Sequence, residues 1–176
     1  RLQRIDTYAE LEEVMKSADF RMAGAEERTV FLEDTLIMAE GERHRELKKL
    51  FAPLLSRQAM AYYELRVVEP VIQAAIAEMH TGRGSDGLVR TDVVPLILAT
   101  LTRIAALVTG VDGVDTPERT ERFCDLVQQL SAATTGSFST RPQADMIDSG
   151  RAAVKALVEE YLQASLDRRI ELVRRH

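Results

Sequence analysis

Asp92-Val93-Val94-Pro95-Leu96-Ile97-Leu98-Ala99-Thr100-Leu101-Thr102-Arg103-Ile104-Ala105-Ala106-Leu107-Val108 is nearly continuously apolar. Its apolar side chains fall on almost every face of a 3.6-residue helix, and a helix apolar nearly all round belongs at the centre of a domain. Outward toward the C-terminus, Asp115, Thr116 and Pro117 supply an N-cap and a first-position proline. The helix they start carries Phe123, Leu126, Val127 and Leu130 at i, i+3, i+4, i+7 spacing. Ser131 to Ala144 is small and polar and reads as a flexible connection. From Asp145 to the end, Val154, Leu157, Val158, Tyr161, Leu162, Leu166, Ile170 and Val173 describe one long amphipathic helix. Its last turns carry Arg168, Arg169, Arg174 and Arg175, cations that complement the helix dipole.

Outward toward the N-terminus, Thr81 to Arg90 is a glycine-rich connection. Ala59 to Met79 reads as helical with an interruption at Pro70, which either begins a new helix or kinks one, with Val71, Ile72, Ala75, Ile76 and Met79 inward. Ser56 is the expected cap of that segment. A charged helix from Glu42 carries Leu47, Leu50 and Phe51 and should end just before Pro53. Arg21 to Glu40 is a long loop with at most a turn of helix. Thr7-Tyr8-Ala9-Glu10 is a capping box opening a helix with the buried stripe Leu11, Val14 and Met15. With no strand pattern of comparable strength and no internal repeat, the fold class is all-α.

The 176 residues make one domain's worth of chain, 45% hydrophobic and 29% charged, with 23 Lys+Arg against 28 Asp+Glu and a net charge of -5. That composition excludes a disordered tail, and the acidic balance argues against a dedicated nucleic-acid binder, which needs a basic face. Cys124 is the single cysteine, so no intramolecular disulfide or cysteine-based zinc cluster can form, and a reducing, cytoplasmic compartment is expected. No apolar run reaches the length that spans a bilayer, and no signal peptide opens the chain, so no membrane partner is expected. The chain starts at Arg1 and stops at His176 inside an amphipathic pattern, and is read as a single partial domain, 1–176, truncated at both ends.

Several motifs dissolve under their chemistry. Gly82-Arg83-Gly84-Ser85-Asp86-Gly87 spells the dinucleotide fingerprint but follows a helical pattern instead of a strand. Asp112, Asp115 and Glu118 lack the alternating ligands of a calcium loop and read as helix caps. His44, His80 and His176 are far apart and outside any zinc-protease pattern. Cys124 reads as a core or boundary residue with no visible base beside it. Gly41-Glu42-Arg43-His44-Arg45-Glu46-Leu47-Lys48-Lys49-Leu50-Phe51-Ala52-Pro53-Leu54-Leu55-Ser56 is different, because His44 and Lys48, four apart, share a helix face and can together grip an anionic group. The plain alternative is a solvated charged face.

This stretch resembles the C-helix signature of the haem-thiolate monooxygenases, the cytochrome P-450 family, in which a Gly-x-x-His-x-x-x-Arg segment passes the haem. By that resemblance His44 and Lys48 take the positions that contact a haem propionate. Lys48 replaces the usual Arg, keeping the charge without the bidentate fork. The resemblance extends in order and character: Asp6 to Phe20 looks like helix B, Arg21 to Glu40 like the B–C loop that roofs the substrate pocket, and Ser56 to Met79 like the connection into helix D. Asp92 to Val108 then looks like helix E, Pro117 to Ala132 like F, and Asp145 to Arg175 like G.

It implies a multi-helix fragment of the mainly α P-450 fold without the I, K and L helices and the cysteine-ligand loop. The intact protein would be a haem-dependent monooxygenase. It would hydroxylate a small apolar substrate with dioxygen and two electrons from a ferredoxin- or flavoprotein-type partner, and the fragment alone would be inactive. Val30, Phe31, Ile37 and Met38 from the B–C loop and Phe138 from the F–G loop are the implied pocket lining, each of them otherwise a loop anchor. The alternative is a non-enzymatic all-α module that binds a small ligand or a partner helix.

Overall fold

The computed structural model describes residues 4–17, 19, 30–33, 35–136, 140 and 142–175. They fold into helices with no strand among the described residues; the nearest approach to a sheet is an isolated bridge between Arg83 and Val89. The helices are α1 (Tyr8–Lys16), α2 (Gly41–Phe51), α3 (Arg57–Tyr63), α4 (Glu69–Thr81), α5 (Val93–Thr109), α6 (Pro117–Thr134), α7 (Gln143–Leu157) and α8 (Gln163–Arg174). A 3₁₀ turn, Ala52–Leu55, follows α2.

The caps at Thr7, Ser56 and Thr116 stand where the sequence places them, and the structure adds one at Asp92. Thr7 Oγ1 accepts from Glu10 N while the Glu10 carboxylate accepts from Thr7 N, completing the box, and the Thr7 hydroxyl and then the Thr7 and Asp6 N–H groups, donating to that carboxylate, hold it below its usual range. Ser56 Oγ accepts from Ala59 N, Asp92 Oδ1 from Val94 N and Thr116 Oγ1 from Arg119 N, each satisfying a free donor of a first turn. Gly110 ends α5 in the left-handed conformation (φ 80°), where a side chain would be strained.

Pro70 stands in the first turn of α4, as expected of a proline that opens a helix, and only a π turn separates α4 from α3. Five residues before α4, Glu64–Val68, form a π turn in which Glu69 N–H donates to the Glu64 carbonyl, five residues back. The wider turn sits where the proline ring and its missing N–H disturb an α ladder, so α3 and α4 continue through it. A second π turn, Val158–Leu162, joins α7 to α8.

The core lies in the C-terminal half. Antiparallel α6 and α7 form the most extensive interface, running from Ala133 against Gly150 at one end to Arg122 paired with Glu160 and Arg119 bound to Tyr161 at the other. Ala106 of α5, Val111 and Val114 of the following loop, Leu126, Ala153, Leu157 and Tyr161 are buried together, with Phe123 and Leu130 packed on them. The stripe expected on α6 is thus the one that packs inward, with Val127 at its exposed margin.

Three expectations need correction. Ser131 to Thr134 belong to α6 and not to the connection, because Ala132 and Ala133 favour helix and Ala133 is buried against α7. The α1 stripe is not buried: Leu11 and Met15 are exposed and Val14 is half-buried. Most important, α5 is central in only one narrow strip. Ala106 is buried, but Val93, Val94, Ile97, Leu98 and Leu101 are exposed, Val94 at 74% and Leu101 at 57%. Ile72 and Ile76 of α4, expected inward, are likewise exposed, and with Ile97 and Leu101 they line one apolar trough of this face. No helix among the described residues is long and apolar enough to cross a membrane.

Candidate functional site

Gly41, at φ 55°, turns the chain into α2, and His44 and Lys48 follow on the same face one turn apart. Their neighbours are occupied: Arg43 pairs with Glu46, and Arg45 with Glu42. His44, half-buried, and Lys48, exposed, have no side-chain hydrogen bond or ion pair among the described residues. Neutralising Glu42 and Glu46 through the flanking arginines leaves these two donors as a site with net positive character, open to an anionic group.

The residues expected to line a pocket are spread out. Val30 and Phe31 lie in a helical turn at 30–32, and Ile37 and Met38 in a turn pinned by Thr35, whose Oγ1 donates to the Leu32 carbonyl at 2.7 Å. Val30 and Ile37 are exposed, Phe31 and Met38 half-buried. Phe31 reaches the α6–α7 crossing, where its ring stands beside Gly150. Phe138 lies outside the described residues. Among the described residues, none of the troughs between α4, α5, α6 and α7 is lined by His44, Lys48 or any of these.

Three features escape a reading by periodicity. Asp112 is an ion-pair partner and not a cap: its carboxylate accepts from Arg169 at 2.7 Å, with Arg168 3.6 Å away, while its backbone N–H donates to Ser165 Oγ. Arg169 thus ties the α5–α6 loop to α8 in addition to any dipole role. Arg119 stacks 4.4 Å over the Tyr161 ring and donates to the Gly113 and Glu160 carbonyls. Arg103, its side chain only 16% exposed, donates from Nε to Thr120 Oγ1 at 2.9 Å and pairs with Glu78 at 3.5 Å. Its signal was present as the lone charge inside the apolar α5 sequence.

The hydrogen bond from Arg169 holds the Asp112 carboxyl below its usual range against the opposing effect of burial. A carboxyl depressed on folding adds stability above the unfolded value near 3.9, and that stability is lost as pH falls through the lower folded value. Asp112→Ala is therefore expected to cost on the order of 1 kcal/mol at neutral pH and to flatten the acid limb. Urea midpoints at pH 7 and pH 3 check this: equal losses at both would show that the ion pair contributes nothing.

Cys124 is half-buried on α6, and Gln128 Nε2 donates to its sulfur at 3.3 Å. Among the described residues no group of three or more His, Cys, Asp or Glu is placed to hold a metal ion. No protein-family model, curated protein or solved structure matches this chain.

Proposed function

We propose that this chain is the helix B to helix G segment of a cytochrome P-450 type monooxygenase, contributing a haem-propionate contact and part of the substrate roof. The observation that carries the reading is the unpaired His44–Lys48 couple on α2, placed on a helix of the resembling sequence and followed in order by the expected helices. The apolar face of α4 and α5 supports it, because a segment of a larger helical protein presents faces that other helices cover.

The donors present fit one edge of a haem. An imidazole and an ammonium one turn apart suit a carboxylate, whereas Cys124, mid-helix and hydrogen-bonded by Gln128, does not resemble a thiolate loop. His44 and Lys48 would hold and orient the propionate. When bound, haem supplies dioxygen activation for hydroxylating a small apolar molecule, with electrons from a ferredoxin- or flavoprotein-type partner. Phe31, folded onto the α6–α7 crossing, would fix the B–C segment over the F and G helices, with Val30, Ile37 and Met38 beside it.

Expression of the complete reading frame that contains this segment tests the proposal. The protein is expected to take up haem, and His44→Ala with Lys48→Ala is expected to release it about tenfold more readily to an apomyoglobin acceptor, consistent with loss of charge-assisted hydrogen bonds. Unchanged release overturns the propionate role. No haem uptake by the complete frame favours the second reading, a non-enzymatic binding module. That reading is supported by a core in which, among the described residues, every buried side-chain polar atom has a partner.

A further inference from the structure

We infer that the trough between α4, α5 and α6 is a binding site for a small organic cation with an apolar body. The trough has a volume of about 370 Å³. A cavity of about 150 Å³ already accepts benzene, so this space takes an aromatic ring with a charged arm. Leu96, Leu98 and Ala99 of α5, with Pro117 of α6, supply the apolar wall.

The polar side of the trough decides the charge of the occupant. Arg103 and Thr120 form the floor, and the Arg103 charge is answered by the exposed carboxylate of Glu78 on the α4 side of the trough, at 3.5 Å. Glu121 and Asp125 stand on the opposite wall, one turn apart on α6. Two like charges at this spacing repel. Neither forms an ion pair among the described residues, and Arg122, the cation between them in sequence, reaches across to Glu160 instead at 2.8 Å. The trough therefore combines an apolar body site with two carboxylates outside any direct ion pair, Asp125 lying in the field of Arg122, and a cation between them offsets the repulsion. An organic anion meets the same pair unfavourably. This site shares no residue with the His44–Lys48 couple, and its test reads cation binding and not haem.

Cys124, the single cysteine of the chain, is in the wall of the same trough and reports occupancy. In the full chain, benzyltrimethylammonium is expected to slow alkylation of Cys124 by iodoacetamide in a saturable way. It should do so at about fivefold lower concentration than benzyl alcohol, the neutral counterpart, with benzoate weaker still. Glu121→Gln with Asp125→Asn should erase the preference for the cation at unchanged helicity by circular dichroism. Ala99→Leu, which fills the apolar wall without touching charge, should weaken protection by both compounds. Absence of saturable protection, equal protection by cation and alcohol, or a preference that survives the double substitution overturns the site.

Discussion

Tyr161→Ala is expected to lower stability by about 3–5 kcal/mol, the range for truncating a large buried aromatic side chain. Tyr161 is 1% exposed and lies in the π turn between α7 and α8. Its ring meets Phe123 edge-on at 5.1 Å between centroids, Arg119 stacks on its face, and its hydroxyl donates to the Arg119 carbonyl at 2.9 Å. Burial pushes the phenol pKa up, with Arg119 opposing, so the hydroxyl keeps its proton and its donor role at neutral pH. Truncation therefore removes an aromatic contact, strips Arg119 of its platform and removes the hydroxyl's added hydrogen bond to a helix carbonyl. Tyr161→Phe removes only the hydrogen bond and is expected to cost about 1 kcal/mol. Urea unfolding of both variants checks the order, and an alanine variant no weaker than the phenylalanine variant would show that the core does not depend on this ring.

The second large effect is expected at Gly150. A Cβ there would stand 2.5 Å from Ala133 Cβ and 2.8 Å from Phe31 Cζ, closer than real side-chain carbons approach. On helix propensity alone Gly150→Ala should gain about 1 kcal/mol. Crowding at the crossing should reverse the sign and leave a net loss of about 1–3 kcal/mol, since two helix backbones cannot give way as a flexible side chain can. Exchanging the small residue across the interface, Ala133→Gly together with Gly150→Ala, should recover most of that loss. The double-substitution cycle measures the coupling directly. A Gly150→Ala variant that is stabilised would mean that α6 and α7 pack less closely at this point.

The helices were legible because their ends and their amphipathic stripes are local chemistry. Thr7, Ser56 and Thr116 bond groups within a few residues, and Phe123, Leu126 and Leu130 recur with the helical period. Legibility failed where a partner decides. The apolar length of α5 predicts burial but cannot say by what, and the described residues cover only the side that carries Ala106. Asp112 looked like a cap because aspartate near a helix start usually is one, and its partner Arg169 is 57 residues away. The α6 helix outran its expected end because the burial of Ala133 against Gly150 is a tertiary fact. Of the candidate site, the spacing of His44 and Lys48 was legible, while the Arg103 floor and the Glu121–Asp125 wall needed three helices brought together.

The π turn at Val158–Leu162 has a consequence in angular phase. Ala153, Leu157, Tyr161, Ser165 and Arg169 follow one another at a strict interval of four residues, and each contributes to the core or to the lock on Asp112. In an uninterrupted α-helix each such interval overshoots a full rotation by about 40°, so the four intervals would carry Arg169 roughly 160° around, away from Asp112. The wider turn absorbs one residue, about 100° of that drift. A single bulge thus lets one continuous helix keep facing α6 at its start and the Val111–Val114 loop at its end, where a straight rod would have turned its back.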